Sequence, residues 1–470
     1  MRKTKIICTI GPASNSEEKI KKLCEAGMNV ARFNFSHGTH EQHKKDIDTV
    51  KKVREQLNIP VAILLDTKGP EYRIGTFKNG SVVLVEGEEF SLTSQDIIGD
   101  EKIVSVSYPK MIDELQIGDT VLLCNGLVSL RVVRKTEDKA VCIVTNGGSV
   151  SNKKSMSFPN KVLHQKYLSE NDKKDLLFAI ENEVDFIACS FVSCKEDIND
   201  VRNFLSENGC DDIDLIAKIE NRAGVDNIEE IINASDGIMV ARGDMGVEIP
   251  FEQLPSIQKK LITQCRIIGK RSITATEMLE SMISNPRPTR AEISDVANAV
   301  YDGTSAIMLS GETAVGKYPV ESVKAMSKIA EETEKNINYS NRFRANQYQI
   351  KNTIDAISHA TCGVAIDIDA KAIVVCSLGG STVRMVSRFR APIDIIGLTT
   401  NVKAWRKLAL SWAVTPVLSE EFPSTEVLFY HAGNTAKSVY RLATGDKIVI
   451  TGGITNGKSG NTNLIKIHTI

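Results

Sequence analysis

Eight short apolar segments, each followed by a segment of helical periodicity, constrain the fold of this chain more than any other feature. The apolar segments are KIICTIG, NVARFNFS, VAILLDTKG, DFIACSFV, DLIAKIEN, GIMVARGDM, SITATEML and SAIMLSGET. The intervening segments, such as EQHKKDIDTVKKVREQLN, carry apolar residues at helical spacing with charges on the opposite face. Eight strand–helix units predict a (β/α)8 TIM barrel, with its functional site at the C-terminal ends of the strands.

Two further sections interrupt or follow this repeat. After DTKGP, short alternating strands with turn signals continue to about Phe158 and predict an all-β cap domain inserted at the third strand. After about Asn341, the strands KAIVVCS, IDIIGLT and DKIVIT are separated by helices, which predicts a C-terminal α/β open-sheet domain. The predicted domains are therefore a barrel at 1–70 and 158–340, an inserted β-barrel cap at 71–157, and a C-terminal α/β domain at 341–470.

Charge and cysteine usage narrow the class of protein. The formal net charge is -1, so there is no polybasic footprint for nucleic acid or for an anionic membrane. The N-terminal apolar stretch is too short for a signal peptide, and no later segment approaches membrane-spanning length, which favours a cytoplasmic protein. The ten cysteines contain no C-x-x-C pair and are interpreted as reduced core residues.

The segment GGITNGKS from Gly452 matches a phosphate-binding loop letter for letter. That loop needs a strand before it and a helix after it. The strand KIVIT is present, but Gly460 and Asn461 oppose a helix, and LIKIHTI alternates like a strand. A second near-match, GETAVGKY, offers Tyr318 where a hydroxyl-bearing metal ligand would stand. Both matches are interpreted as coincidental.

Several of the predicted strands end in polar residues. Lys218 and Glu220 lie two apart and therefore on one face, where they form either a structural ion pair or part of a site. The next strand ends in Gly243 and Asp244, and two carboxylates on adjacent strand ends are the minimal protein ligands for Mg²⁺. Other strand ends contribute further hydroxyl, amide and carboxylate oxygens, namely Asn34, Ser36, Asp66, Thr67, Thr274, Thr276, Ser310 and Glu312.

These residues together indicate a class of chemistry. The oxygens of Asn34, Ser36, Asp66 and Thr67 suit a hard cation. Arg32, Arg73 and Lys218 add positive charge, which suits a polyanionic substrate held through a metal, as in phosphoryl transfer. His37 and His40 are compatible with metal ligation, but their position at a helix start favours capping.

Several longer stretches of the chain are distinctive, namely NVARFNFSHGTHEQH, LLDTKGPEYR, AKIEN, GIMVARGDMGVEIPFEQ, TEMLESMISNPRPTRAEISDVANAVYDGTSAIMLSGETAVGKYP and the C-terminal TGG-to-TNLIKI stretch. Together they resemble the pyruvate kinase family over nearly the whole chain. The resemblance implies phosphoryl transfer from phosphoenolpyruvate to ADP, giving pyruvate and ATP. It also implies Mg²⁺ (or Mn²⁺) and K⁺ as cofactors, a phosphorylated small-molecule effector and a homotetramer.

The resemblance assigns roles to individual residues. Lys218 and Arg32 hold the transferred phosphoryl group, and the amides near Gly243 and Asp244 take the substrate carboxylate. Glu220 and Asp244 bind Mg²⁺. Asn34, Ser36, Asp66 and Thr67 match the K⁺ ligands, and Glu71 stands where members that need no monovalent cation carry a lysine. The nucleotide contacts are Asn34, His37, Arg73 and Lys154, while Thr276, Ser310 and Glu312 border the face where the enolate is protonated.

The C-terminal section carries the predicted effector site. The strand KAIVVCS leads into LGGSTVRMVSRF, where hydroxyls and glycines precede a helix N-terminus, a natural position for an anion. In pyruvate kinases this loop holds an effector phosphate, and the loop after the last TGG lies over it. The predicted effector residues are Ser377, Gly379, Gly380, Ser381, Thr382 and Lys458, and the alternative is a solvated surface loop.

The chain also departs from the family pattern. Cys124 and Asn125 replace an Asp-Asp pair in the cap, Ser193 and Cys194 replace a basic pair, KSMSFPN replaces a KGVNLPG-like stretch, and Glu277 replaces a glutamine. These changes leave nucleotide preference open. The rival functions are a lyase or aldolase on the same barrel, and a phosphometabolite sensor with weak or altered nucleotide use.

Overall fold

The first barrel strands follow the predicted strand–helix order. The computed structural model describes residues 2–159, 161, 163, 165–345, 348–453 and 462–470. The first elements are β1 Lys5–Thr9, α1 Glu17–Ala26, β2 Val30–Asn34, α2 His40–Leu57 and β3 Ala62–Asp66. Each of these three strands is one of the predicted apolar segments.

The inserted section is almost entirely β. Its elements are β4 Tyr72–Arg73, β5 Ser81–Leu84, β6 Glu89–Thr93, β7 Ile103–Ser105, α3 Met111–Glu114, β8 Thr120–Leu123, β9 Val128–Lys135, β10 Lys139–Asn146, β11 Gly148–Ser151 and β12 Ser155–Ser157. One sheet has the order β4-β12-β8-β9-β10-β6-β7, and β11 pairs with β5. A bridge between Ile74 and Val106 joins the two edges of the larger sheet, which therefore curls toward a barrel.

The chain then returns to the barrel. The elements are α4 Glu170–Glu181, β13 Phe186–Cys189, α5 Lys195–Glu207, β14 Asp214–Ile219, α6 Arg222–Asp226, α7 Ile228–Ala234, β15 Gly237–Ala241, α8 Arg242–Glu248, α9 Leu254–Ile268, β16 Arg271–Ala275, α10 Arg290–Asp302, β17 Ala306–Leu309, α11 Gly311–Ala314 and α12 Pro319–Lys335, with 3-10 turns at Phe251–Gln253 and Glu280–Ile283. Within the described residues, eight parallel strands close in the order β1-β17-β16-β15-β14-β13-β3-β2. The predicted barrel is confirmed, because each strand lies in one of the eight apolar segments.

The stretch NPRPTRAE folds as its composition dictates. Thr289 caps α10 by accepting a hydrogen bond from the Glu292 amide at 3.2 Å, and the Glu292 carboxylate accepts from the Thr289 amide at 2.7 Å. This reciprocal capping box satisfies two amides that the helix start leaves free. The other oxygen of Glu292 accepts from the Ser281 amide at 2.7 Å, so the cap also fixes the loop that follows β16.

The C-terminal section is an open sheet with helices on its faces. Its elements are α13 Tyr339–Ala345, α14 Thr353–Asp367, β18 Ala372–Cys376, α15 Ser381–Arg388, β19 Ile395–Thr399, α16 Val402–Lys407, a 3-10 turn Leu408–Leu410, β20 Val414–Leu418, α17 Thr425–Tyr440, β21 Lys447–Gly453 and β22 Thr462–Thr469. The sheet order is β20-β19-β18-β21-β22, and β22 is antiparallel to β21. The predicted α/β section is confirmed, whereas the domain boundaries stay predictions.

One strand of this sheet was missed from the sequence. β20 contains Pro416, which cannot donate to a ladder and therefore argues against a strand. The structure accommodates it because β20 lies at the edge of the sheet and pairs only with β19 in the described residues. At the other edge, the described residues after GGITNGKS form β22 rather than a helix, as LIKIHTI predicted. Residues 454–461 themselves lie outside the described part.

The C-terminal section also closes the bottom of the barrel. Leu410, fully buried, belongs to the same apolar cluster as the inward-facing side chains of the barrel strands, including Ile216 and Met239. Beside it, Arg406 of α16 donates to Asp185 at 2.7 Å and Lys407 donates to Asp214 at 2.8 Å. The N-terminal ends of these barrel strands are therefore closed by residues that come 193 to 221 positions later in the chain.

Two predictions made from the composition can be compared with the structure. No helix among the described residues is both long and apolar enough to cross a membrane. All ten cysteines lie within the described residues and are free; six are buried, as predicted for core positions, and four are only partly buried, namely Cys24, Cys124, Cys194 and Cys376.

Candidate active site

Most of the predicted site residues line one cavity at the mouth of the barrel, under the inserted β section. The cavity measures about 870 Å³. The predicted residues that line it are Arg32, Asn34, Ser36, His37, Arg73, Lys154, Lys218, Glu220, Asp244, Thr276 and Ser310. Asp66, Thr67, Gly243 and Glu312 do not line this cavity and lie behind the residues that do.

Lys218 is the centre of a buried ionic network. Its ammonium lies 3.0 Å from Asp66, 2.7 Å from the Ser190 hydroxyl and 3.0 Å from Glu220. Burial alone lowers the pKa of Lys218, but the carboxylates of Asp66 and Glu220 outweigh burial and raise it above its usual value. Lys218 is therefore held as a cation that cannot serve as a general base.

Asp66 joins this network to Arg32. The Arg32 Nε donates to Asp66 Oδ2 at 2.7 Å, and its Nη1 donates to the Thr9 hydroxyl at 2.8 Å. Burial opposes ionisation of Asp66, yet Arg32 and Lys218 lower its pKa below the usual value. Asp66 thus remains charged and fixes the relative positions of the two cations.

Glu220 is a buried carboxylate with one oxygen that makes no aligned hydrogen bond. Its Oε2 accepts from the Phe191 amide at 2.6 Å, whereas its buried Oε1 has no aligned hydrogen-bond partner. Burial, followed by the nearby charge of Asp244, raises the pKa of Glu220 to about 7 despite the opposing effect of Lys218. Among the described residues no group of three or more His, Cys, Asp or Glu side chains could hold a metal. Glu220 and Asp244 are two carboxylates that line the same cavity, and such a pair fits Mg²⁺, which binds through one or two carboxylates and otherwise keeps water and substrate oxygens.

The loop after β16 is backbone-strained. Thr276 and Glu277 have φ values of +68° and +52°, a region that β-branched residues such as threonine rarely adopt. The strain is supported by hydrogen bonds, because Arg242 donates to the Thr276 carbonyl at 2.7 Å and the Gly243 amide donates to the Thr276 hydroxyl at 2.8 Å. The Gly243 amide predicted to take a carboxylate is thus already engaged by Thr276.

Glu312 does not line the cavity but supports two loops that do. It is 1% exposed, and its two oxygens accept from the Leu279 amide at 3.0 Å and from the Ser310 amide at 2.7 Å. Both loops that frame the protonation face predicted by resemblance are therefore tied to one buried carboxylate. Ser310 itself faces the cavity, so of this pair only Ser310 is placed to touch a substrate.

The predicted K⁺ ligands lie where β2 and β3 end. The Asn34 side-chain oxygen accepts from the Ser36 amide at 3.1 Å, and the Thr67 hydroxyl donates to the Ala188 carbonyl at 3.3 Å. The oxygen-only donor set fits a hard cation. Asp66 has the least free capacity of the four, since both its oxygens already accept from cations.

The predicted nucleotide contacts lie on the side of the cavity formed by the inserted section. Arg73 forms an ion pair with Glu71 at 2.7 Å and donates to the Lys153 carbonyl at 2.6 Å. Cys124 and Asn125, the positions that depart from the family pattern, line the same cavity and have φ values of +54° and +55°. The departures are therefore at the site and not on a distant surface.

The two histidines of FSHGTH do different things. Thr39 caps α2 by accepting from the Gln42 amide at 3.3 Å, so neither histidine is the cap. His40 lies 2.6 Å from Asp175, outside the cavity. Only His37 faces the cavity, and a metal role for the pair has no structural support among the described residues.

The inserted section touches α8, the helix that carries Asp244. The Phe158 amide donates to the Glu248 carboxylate at 3.1 Å, and a Cβ built on Gly126 would lie 3.5 Å from Val247. The sequence analysis identified neither Glu248 nor Ser190, whose hydroxyl accepts a hydrogen bond from Lys218. Neither residue belongs to a sequence pattern that indicates its partner.

The predicted effector loop connects β18 to α15. Gly380 has φ of +76°, which only glycine adopts freely, and α15 begins at the next residue. Thr382 is buried and its hydroxyl lies 2.6 Å from that of Thr462, so the loop is bound to the last strand. Ser377, Gly379 and Ser381 belong to the same turn, whereas Lys458 lies outside the described residues.

Comparison with known proteins agrees with this arrangement. A family model described as the barrel domain of pyruvate kinase matches residues 1–323, and one described as its alpha/beta domain matches residues 355–468. A pyruvate kinase of Clostridium acetobutylicum is 46% identical over the full length of both chains. A pyruvate kinase of Staphylococcus epidermidis is 46% identical over all of this chain and 81% of its own length.

A solved structure gives the same result. The crystal structure of a pyruvate kinase from Cryptosporidium parvum superposes with a TM-score of 0.95 at 37% identity, covering all of this chain and 96% of the other. Full-length matches to the barrel and to the C-terminal section, together with the site geometry, settle the family. The chain belongs to the pyruvate kinase family.

Proposed function

We propose that the chain transfers the phosphoryl group of phosphoenolpyruvate to ADP, giving pyruvate and ATP. The observation that carries this proposal is the buried ammonium of Lys218, held protonated between Asp66 and Glu220 beside Arg32. Phosphoryl transfer depends mainly on positioning and on stabilisation of developing negative charge. A fixed pair of cations in an otherwise carboxylate-rich mouth supplies both.

The proposed division of labour follows from the contacts. Lys218 and Arg32 bind the phosphoryl group, and their shared partner Asp66 prevents either cation from turning away. When the bond from the phosphoryl group to the enol oxygen breaks, its electron pair stays on the enolate, and ADP supplies the oxygen that forms the new bond. The enolate then takes a proton on the face bordered by Thr276 and Ser310, which Glu312 keeps in place through its backbone contacts.

We assign Mg²⁺ (or Mn²⁺) to Glu220 and Asp244. The support is the Glu220 oxygen that pairs with Lys218 by charge but makes no aligned hydrogen bond, together with the raised pKa caused by burial and by Asp244. When bound, a divalent ion would neutralise substrate oxygens and orient them, which is the chemistry that phosphoryl transfer needs from a metal.

We assign a K⁺ requirement to the same mouth. Asn34, Ser36, Asp66 and Thr67 would hold the ion, and Glu71 replaces the lysine expected in family members that need none. Turnover should therefore fall sharply when K⁺ is replaced by tetramethylammonium at constant ionic strength. Full activity in that buffer would contradict the assignment.

We further infer that the loop from Ser377 to Thr382 binds the phosphate of a small-molecule effector and that the enzyme acts as a cytoplasmic homotetramer. Both inferences rest on family membership, as does the partition into barrel, cap and C-terminal domains. Lys458→Ala should weaken effector activation and leave unactivated turnover nearly unchanged. Loss of all ATP binding in that variant would instead identify GGITNGKS as a nucleotide loop.

The decisive experiment is a coupled assay for pyruvate formation from phosphoenolpyruvate and ADP, with Mg²⁺ and K⁺ present. Turnover that requires both substrates supports the proposal. A sensor would bind phosphoenolpyruvate without turnover, and a lyase would act without ADP, so each alternative has its own outcome.

A further inference from the structure

A second concentration of charge lies at the opposite end of the barrel, outside the active site. A narrow crevice there separates the lower barrel from α15 and the residues after it. Six cationic side chains line it, namely Arg266, Lys270, Arg271, Arg384, Arg388 and Arg390. The first three belong to the barrel section and the last three to the C-terminal section, so the crevice brings like charges from two sections face to face.

Carboxylates balance only part of this charge. Asp214 pairs with Arg271 at 2.8 Å and lies 3.9 Å from Arg384, and Asp355 pairs with Arg388 at 3.3 Å. Within the described part of the chain, no carboxylate lies within ion-pair distance of the other three cations, which are Arg266, Lys270 and Arg390. The crevice therefore has an excess of positive charge.

Arg390 is the clearest case of an unbalanced charge. It is 6% exposed, it stacks on Trp412, and it donates to the Ser305 hydroxyl at 3.0 Å and to the Ser387 carbonyl at 2.9 Å. These partners are neutral. Burial and the neighbouring Arg266 lower the pKa of Arg390 to about 9, so the guanidinium is still charged at neutral pH. A buried charge without a counter-charge is strongly destabilising.

The crevice also collects polar atoms that have no partner. The Nε atoms of Arg266, Arg271, Arg388 and Arg390 and the hydroxyl of Ser411 are buried and make no hydrogen bond in the described structure. All five residues line the crevice, and all except Arg266 are 3 to 6% exposed. Buried polar groups are nearly always satisfied, so a group of five at one place indicates a missing partner such as an ion or water.

We propose that this basic crevice binds a small inorganic anion, which joins the barrel to the C-terminal section. The uncompensated guanidinium charge requires an anion rather than a neutral molecule, and arginine side chains suit halides and oxyanions alike. The free space is about 10 Å³, close to the least that holds one water molecule. A nucleotide or a sugar phosphate is therefore too large for it.

This crevice is separate from the predicted effector loop. The predicted effector residues end at Thr382 in the first turn of α15, whereas Arg388 is the last residue of that helix. Six residues of helix separate these two positions by about 9 Å, and of the crevice residues on α15 only Arg384 lies within one turn of Thr382. An anion bound between Arg390, Arg271 and Ser411 can thus be distinguished from a bound effector by its position.

Crystals of the wild-type enzyme provide the first test. Soaks in sodium bromide and in sodium selenate place an anomalous scatterer wherever a halide or an oxyanion binds. We expect a peak between Arg390, Arg271 and Ser411 in at least one soak. Bromide alone would identify a halide site, and selenate alone would identify an oxyanion site that opens as Arg266 moves. Peaks elsewhere but none in the crevice from either salt would overturn the proposal.

Thermal unfolding provides a second, independent test. We expect the Tm of the wild type to rise when sodium gluconate is replaced by sodium bromide or sodium sulfate at equal ionic strength, because an anion bound only by the folded state stabilises it. Arg266→Gln should lose more than half of that rise. In gluconate the variant should be at least as stable as the wild type, because one uncompensated charge is gone.

The control for this test is Arg131→Gln, which removes an exposed arginine of the inserted section. It should keep the wild-type response to both anions. An Arg266→Gln response equal to that of the wild type would contradict the proposal. A merely structural role for Arg266 would instead lower Tm equally in all three salts, which also counts against anion binding.

Discussion

The two ends of the barrel hold charge in opposite ways. At the mouth, Lys218 and Arg32 share the carboxylates of Asp66 and Glu220 at distances of 2.7 to 3.0 Å. At the bottom, six cations meet two carboxylates within ion-pair distance, and Asp236, which pairs with Arg202, acts on Lys270 and Arg384 only from farther away. The difference indicates what each end can bind. The balanced network at the mouth accepts a substrate that arrives with its own metal, whereas the excess of positive charge at the bottom requires an anion. Four predictions test this contrast.

The largest effect is expected from Lys218→Ala. The variant leaves Asp66 and Glu220 facing each other without their shared cation and removes a charge that stabilises the transition state. The activation free energy should rise by about 3 to 4 kcal/mol, so turnover of phosphoenolpyruvate should fall roughly 10²- to 10³-fold. Steady-state kinetics measure it, with Lys44→Ala on the exposed face of α2 as control. Near-wild-type turnover would show that the mouth network is only structural.

Leu410→Ala should produce the next largest effect, on stability. Removing a fully buried leucine from the bottom of the barrel leaves a cavity beneath the strands and should cost about 3 kcal/mol of unfolding free energy. Urea unfolding measures it, and Leu418→Ala on the edge strand, where the leucine is 44% exposed, is the control. Equal costs in the two variants would mean that the bottom of the barrel is not closed by this side chain.

Glu248→Gln should change the pH dependence of stability. Burial raises the pKa of Glu248 from 4.5 to about 7. Between these values the folded state holds a proton that the unfolded state has released, so this group makes stability fall by about 1.4 kcal/mol per pH unit as pH rises. Glutamine does not titrate and still accepts from the Phe158 amide, so the variant should gain stability relative to the wild type from pH 5 to 7 and then level off.

Urea unfolding at pH 5, 6, 7 and 8 measures this difference. Glu248 lines a cavity of about 530 Å³. The variant retains all the other charged residues that line it, namely Glu71, Lys161, Lys166, Asp197, Glu220 and Asp244. Glu252→Gln, on the exposed 3-10 turn after α8, is the control and should track the wild type. A constant offset between Glu248→Gln and the wild type at every pH would refute the prediction.

The smallest effect concerns two serines of the basic crevice. Ser387 donates to the Trp412 carbonyl at 2.7 Å, whereas the Ser411 hydroxyl has no partner in the described structure. Ser387→Ala should therefore cost about 1 kcal/mol and Ser411→Ala less than about 0.5 kcal/mol in gluconate. In bromide the cost of Ser411→Ala should rise, because its hydroxyl then has an ion to bind. An unchanged cost would place the anion away from Ser411.

The sequence predicted the parts of the mouth that depend on strand position. Lys218 and Glu220 are two residues apart on one strand, and Asp66 and Asp244 end two others, so the barrel topology alone brings them to the same end. The network between them was not predictable in detail. Ser190 and Glu248 become partners of the site only through packing between distant segments, and no local spacing indicates this.

The bottom of the barrel was not predicted at all, for the same physical reason. Its arginines are scattered from Arg266 to Arg390 over two helices, a strand and a connecting segment, and at each position the sequence indicates only an ordinary solvated or paired charge. Leu410 lies in a short apolar turn, and nothing in its local sequence indicates which apolar core it joins. β20 was missed because Pro416 opposes a strand, and only its position at the sheet edge removes that objection.

The closure of the barrel by Leu410 has a consequence for how such a chain can be divided. A gene that stopped near residue 340 would encode all eight strands and the whole predicted catalytic set, yet it would leave an open shaft beneath Ile216 and Met239. It would also leave Asp185 and Asp214 without their ion-pair partners Arg406 and Lys407. The barrel section therefore depends on the C-terminal section to complete its core, and we expect a fragment that ends near residue 340 to be less stable than the full chain.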